Sequence, residues 1–166
     1  MTLARLQRLV RRCEDGLLAA AVLLMVALAG LQIVLRIGFD GGIVWIDPAL
    51  RSLVLWIGML GAVTASRSGQ HIRIDLLTRA VPLQWRRRLQ VAACGFTVAV
   101  CLLVAWHSAR FVQLELAYPT MAFADVPTWS VALILPLAFT LIAVRYGLAT
   151  IALARGHEPF DEQPPW

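Results

Sequence analysis

The chain has 166 residues, 60% of them hydrophobic, with a mean hydropathy of +0.74 and a formal net charge of +5. Soluble domains are about 45–50% apolar; here the excess falls in long blocks, which excludes an ordinary soluble domain and leaves room for about four spans of roughly 20 residues each. The positive charge comes from fifteen arginines, and they flank the apolar blocks, which is the positive-inside pattern of a membrane protein and not a nucleic-acid surface.

Arg5, Arg8, Arg11 and Arg12 precede the first block, which runs from Gly16 to Leu35 with Gln32 as its one polar interruption. That length exceeds the roughly 7–15-residue core of a cleaved signal peptide, so the block reads as a retained anchor. A signal cleaved after Ala27-Leu28-Ala29 is the competing reading. The first helix is expected over Gly16–Ile37, with Arg36 snorkelling to the interface. Gly38, Asp40, Gly41 and Gly42 then form a turn, and Trp45 anchors at the interface.

Asp47-Pro48 is a helix-start signal, with Asp as the cap and Pro at the first helical position. The second helix is expected from Pro48 to Ser66. Arg51 lies four residues after Asp47, on the same helix face. An unpaired Arg is costly at a membrane boundary, so the two are expected to pair, or else to meet a second membrane protein. Gly58, Gly61, Ala62 and Ala65 make a small-residue face that another helix could approach closely.

A polar stretch follows, Arg67-Ser68-Gly69-Gln70-His71-Ile72-Arg73-Ile74-Asp75. Gly69 reads as a C-terminal cap. From Ile72 to Val81, apolar residues alternate with Arg73, Asp75 and Arg79, the pattern of a short amphipathic helix lying flat at the interface. Pro82 opens the third helix, whose apolar part runs from Leu89 to Trp106 behind Trp85-Arg86-Arg87-Arg88; His107 and Arg110 sit at its far end. Residues 113–126 read as an irregular outer loop. Pro127-Thr128-Trp129 opens the fourth helix, which continues to Ala154 with a kink at Pro136. Arg145 lies sixteen residues beyond Trp129, about 24 Å along the axis, near the opposite interface.

The chain therefore reads as an all-α membrane protein with four transmembrane helices and a short interfacial amphipathic helix between the second and third. Residues 1–155 form one membrane domain, and 156–166 a polar, disordered tail. The N-terminal segment carries four Arg and the stretch from Arg67 to Arg88 six, against Arg36, Arg51 and Arg110 on the other side. Both termini and the middle linker are accordingly expected in the cytoplasm.

No enzyme chemistry is visible. His71, His107 and His157 fall at different depths, so they do not supply the facing ligands of a bundle haem. Cys13, Cys94 and Cys101 have no metal-site or disulfide-framework spacing. The spans lack the midplane polar groups and broken helices of a self-sufficient transporter. What remains is a membrane scaffold; a stand-alone four-span redox protein or enzyme is the alternative.

Several features in order then resemble the small membrane subunit of tripartite ATP-independent periplasmic (TRAP) transporters, the DctQ-like small permease. They are the basic N-terminus, Asp47 and Arg51 opening the second helix, Trp56, the small residues from Gly58 to Ala65, the run Arg67–Leu77 with Gly69, His71-Ile72 and Asp75, and Pro127-Thr128-Trp129 with Pro136 and Arg145. Asp47 departs from the Glu common in the family. The resemblance implies a non-enzymatic subunit of a bacterial inner-membrane uptake system, holding no cofactor itself. A large membrane subunit would carry out sodium-coupled transport of a solute, often an organic acid, handed over by a periplasmic binding protein. Asp47, Arg51, Trp56, Arg67, His71, Asp75, Trp129 and Arg145 are the candidate contacts to subunits or lipid.

Overall fold

A computed structural model describes residues 2–38, 41–66 and 83–155, with side chains described from residue 12 in the first stretch and from residue 88 in the last. The elements are α1 (Thr2–Gly38), α2 (Ile46–Ala65), α3 (Leu83–Ala117), β1 (Met121–Phe123), β2 (Val126–Pro127), α4 (Thr128–Ala132) and α5 (Ile134–Ala154). The molecule is mostly helical, and four stretches are long and apolar enough to cross a membrane: Arg12–Gly38, Ile46–Ala65, Arg88–Ala117 and Thr128–Ala154. The interfacial helix expected over Ile72–Val81 lies outside the described residues, as do Arg67, His71, Asp75 and the tail.

Both long helices overrun their expected bounds. α1 has 37 residues and begins well before Gly16, because residues 2–15 hold no Gly or Pro and are mostly good helix formers. α3 has 35 residues and continues past Trp106, so Glu115 belongs to a helix and not to a loop. Nothing between His107 and Ala117 breaks a helix; Pro119 does.

The start of α2 also differs from expectation. Trp45 occupies the cap position and no side chain caps the helix. Asp47 is the second helical residue, and Pro48 the third. Pro is tolerated there because the first four amides of a helix have no intrahelical acceptor. The turn closes through backbone bonds, Ile46 N to Ile43 O and Ala49 N to Trp45 O, both 3.1 Å.

The expected irregular loop is a hairpin. β1 and β2 are antiparallel, with Phe123 opposite Val126, Met121 opposite Pro127 and a bulge between. Its two-residue turn, Ala124 and Asp125, has φ of 40° and 64°. Positive φ at both central residues is the type I′ geometry that matches strand twist. Asn or Gly usually signals such a turn; here neither is present, so the residue types do not mark it.

The fourth span breaks at Leu133, three residues before Pro136. Pro136 has no N–H, so the Ala132 carbonyl loses its helical donor, and the ring crowds that carbonyl. The chain responds by ending α4 and restarting as α5.

The core lies between α3 and α5, with α2 against them. Cys94, Cys101, Ala105 and Val112 are buried along α3, and Ile134, Ala138, Ile142, Tyr146, Ala149 and Leu153 along α5. Both sets recur every three to four residues or at multiples of that, so each helix buries one stripe. Tyr146, 2% exposed, packs in the same cluster as the small Cys94, Cys101, Ala138 and Ala143. α1 is different: it packs on α2, and only 6% of its apolar stretch is buried within the chain.

Candidate functional site

Two polar clusters stand out in the described spans, one towards each end of the apolar stretch Arg12–Gly38 of α1. Where the chain leaves α1, Gln32 is 7% exposed, although it lies inside a membrane-length helix. Its carboxamide Nε2 donates to the Ile43 carbonyl at 3.3 Å, and its Oε1 accepts from the Ile43 amide at 3.2 Å. The side chain thus pairs with one residue of the α1–α2 connection as a neighbouring strand would. A Cβ at Gly42 would stand 2.9 Å from Gln32 Nε2, so a larger residue there displaces the carboxamide from its bonds.

Near the start of α1, Arg145 of α5 draws three helices together. Its Nη2 donates to Glu14 Oε1 at 2.7 Å. Its Nη1 donates to the Val63 carbonyl and, at 3.2 Å, to Ser66 Oγ. The Ser66 hydroxyl in turn donates to the Val63 carbonyl at 2.6 Å. Val63 and Ser66 are at the end of α2, whose last carbonyls lack helical donors, so the guanidinium fills that need while neutralising Glu14. The side chains of Arg145 and Glu14 are 22% and 13% exposed.

The candidates read from the sequence fare unevenly. Arg145 lies in the later half of its span, beside the end of α2, and is a partly buried bond centre within the chain. Trp56 is 38% exposed, and its indole Nε1 donates to the Val131 carbonyl at 3.2 Å, tying α2 to α4 beside the break. Trp129 is half-buried in the first turn of α4. Asp47 and Arg51 are both exposed, and among the described residues no ion pair joins them. Their helix face also carries Val54 and Gly58, both exposed, and a Cβ at Gly58 would meet nothing within 4 Å. Arg67, His71 and Asp75 lie outside the described residues. His107 is exposed, and among the described residues no three His, Cys, Asp or Glu side chains cluster as a metal site.

Glu14, Gln32 and Ser66 were missing from the sequence candidates. Gln32 had a signal, as the one polar side chain in a twenty-residue apolar block. Glu14 had a weaker one: an acid amid arginines at the same end of the molecule as Arg145.

A cleft of about 600 Å³ opens between α1, α2, the hairpin and α4. Leu24 and Leu28 form one wall, Ala49 and Leu53 another, and Phe123 and Val131 close it.

Residues 25–156 match the family described as tripartite ATP-independent periplasmic transporters, DctQ component. The chain is 26% identical over 149 residues to the ectoine TRAP transporter small permease protein TeaB of Halomonas elongata, covering 87% of this chain and 75% of that protein. It is 32% identical over 111 residues to a putative TRAP transporter small permease protein of Haemophilus influenzae, covering 67% and 69%. It is also 25% identical over 126 residues to the sialic acid TRAP transporter permease protein SiaT of H. influenzae, matching 74% of this chain but 20% of that protein.

Proposed function

Because the chain belongs to the DctQ-component family of tripartite ATP-independent periplasmic transporters, we propose that it is a small scaffold subunit that packs on a large membrane subunit. The partner carries out sodium-coupled uptake of a solute, an organic acid in the simplest case, delivered by a periplasmic binding protein. The observation that carries this reading is the poor burial of α1, 6% over its apolar stretch, beside an exposed Asp47 and Arg51 on α2 that have no ion-pair partner among the described residues. A charge facing hydrocarbon is costly and tends to find a partner. The match within SiaT supports the same reading, since there the corresponding stretch is part of a chain about five times as long as the matched region.

In this reading residues 1–155 form one membrane domain in a bacterial inner membrane, with both termini cytoplasmic and the interfacial segment between α2 and α3 on that side. The arrangement of Arg145 supports it, since the start of α1, the end of α2 and the later half of α5 meet at one end. The face of α2 bearing Asp47, Arg51 and Gly58 meets the large subunit; Arg67, His71 and Asp75 are further contacts. Nothing in the described residues favours a redox protein.

The test is affinity purification from the native membrane in mild detergent, followed by uptake in proteoliposomes. The chain should bring down a much larger polytopic protein, and uptake should be lost when it is omitted. Recovery of the chain alone would overturn the proposal. Substituting Arg67, His71 and Asp75 singly should weaken assembly or uptake; unchanged values remove those residues from the interface.

A further inference from the structure

The cleft between α1, α2, the hairpin and α4 is placed and shaped for one kind of occupant. Trp56 lies ten residues into α2, roughly 15 Å from its start, and Leu24 lies fourteen residues before the end of α1, roughly 21 Å. The cleft therefore runs from one membrane surface to the middle, about the 15 Å of a single leaflet's hydrocarbon. Of its polar side chains, those of Ser52, Ser130 and Trp56 are already engaged. Ser52 Oγ donates to the Pro48 carbonyl at 3.1 Å, Ser130 Oγ to the Pro127 carbonyl at 2.7 Å, and Trp56 Nε1 to the Val131 carbonyl at 3.2 Å. A polar solute would find no free donor among them.

Length separates the remaining occupants. A membrane-spanning partner helix would need a groove along the whole hydrocarbon thickness of about 30 Å, roughly twice the depth of this one. A single acyl chain needs only the depth of its own leaflet. Asp125 is exposed in the turn between the lining residues Phe123 and Val126, and it has no ion-pair partner among the described residues.

We infer that the cleft binds a membrane phospholipid, one acyl chain lying between α1 and α2 and an ammonium-bearing headgroup beside Asp125. This goes beyond the scaffold role and does not depend on which solute is carried. The bound chain supplies packing that the protein does not make for itself where α1 leaves α2.

The experiment is native mass spectrometry of the full chain, with any subunits that accompany it. The protein is reconstituted in equal amounts of ethanolamine and glycerol phospholipid and then released into detergent. Wild type should retain one phospholipid, preferentially the ethanolamine form. Ser52→Phe and Leu28→Trp, which fill the cleft from two different helices, should lower the retained fraction roughly tenfold, the equivalent of about 1.4 kcal/mol. Val144→Phe, at an exposed position of α5 outside the cleft, should retain it, and Asp125→Asn should lose the preference for ethanolamine. If one cleft variant fails to fold, the other gives the same readout. A wild-type protein that carries no lipid, as when a polypeptide fills the cleft, overturns the inference. So does equal retention in the cleft variants and Val144→Phe, and so does a headgroup preference unchanged by Asp125→Asn.

Discussion

The pair formed by α3 and α5 and the pair formed by α1 and α2 solve the same problem differently. α3 and α5 set small residues against large ones along a shared stripe, and Tyr146 fits among Cys94, Cys101 and Ala143. Close packing of this kind is effective in lipid, where apolar burial by itself gives little. α1 has no comparable stripe against α2, and its large side chains, Leu23, Val26, Ile33 and Val34 among them, face outward. It is fastened near its ends instead, by Gln32 to the connection and by Glu14 to Arg145. One half is held by shape and the other by a few directional bonds. That leaves the second half free to offer its sides to lipid or to another subunit.

The contrast can be broken at the fastenings. Arg145→Met should be the most damaging single change. It removes the Glu14 pair and the cap on α2 together, and loss of one partner of a mostly buried pair costs about 2–4 kcal/mol; denaturant titration of the purified chain in detergent checks this. A larger residue in the packed half comes next. Ala138→Leu, at a position 2% exposed, should cost about 1–3 kcal/mol by overpacking. The same change at the exposed Ala27 of α1 should stay within about 0.5 kcal/mol. Equal losses at the two sites would erase the distinction between the halves.

Gln32→Leu should cost about 1–2 kcal/mol, since it leaves the Ile43 amide and carbonyl without these bonds. Its signature is local: faster hydrogen exchange at the Ile43 amide, with the α3–α5 core unaffected. The smallest effect should be a gain. Tyr146 Oη is buried and has no hydrogen-bond partner among the described residues, so Tyr146→Phe should stabilise the chain by up to about 1 kcal/mol, seen as a small rise in the thermal midpoint.

The four spans were legible because each is a long apolar block bounded by arginine, aromatic or proline signals, and the Pro127-Thr128-Trp129 start was visible for the same reason. Helix ends were less so. The extra length of α3 depended only on the absence of breakers, which leaves no positive mark. Asp47-Pro48 looked like a cap because the residue types suit one, but backbone bonds from Ile43 and Trp45 do that work. The Asp47–Arg51 spacing was right for a pair, yet spacing fixes only the face and not whether two exposed side chains meet. The Arg145 cluster was hidden because its members are 131 and 79 residues apart in the chain, a pairing set by how the helices pack.

The order of those members along the chain has a consequence for biogenesis. Glu14 is made with the first span and Ser66 at the end of the second, but the guanidinium that joins them arrives only with the last. Until Arg145 is in place, neither Glu14 nor the Val63 carbonyl has its bond to the guanidinium. The clasp can therefore form only in a chain whose first and final spans were inserted with the right relative orientation. A protein truncated before α5, or inserted with one span inverted, lacks the Glu14–Arg145 pair that joins its first and last spans.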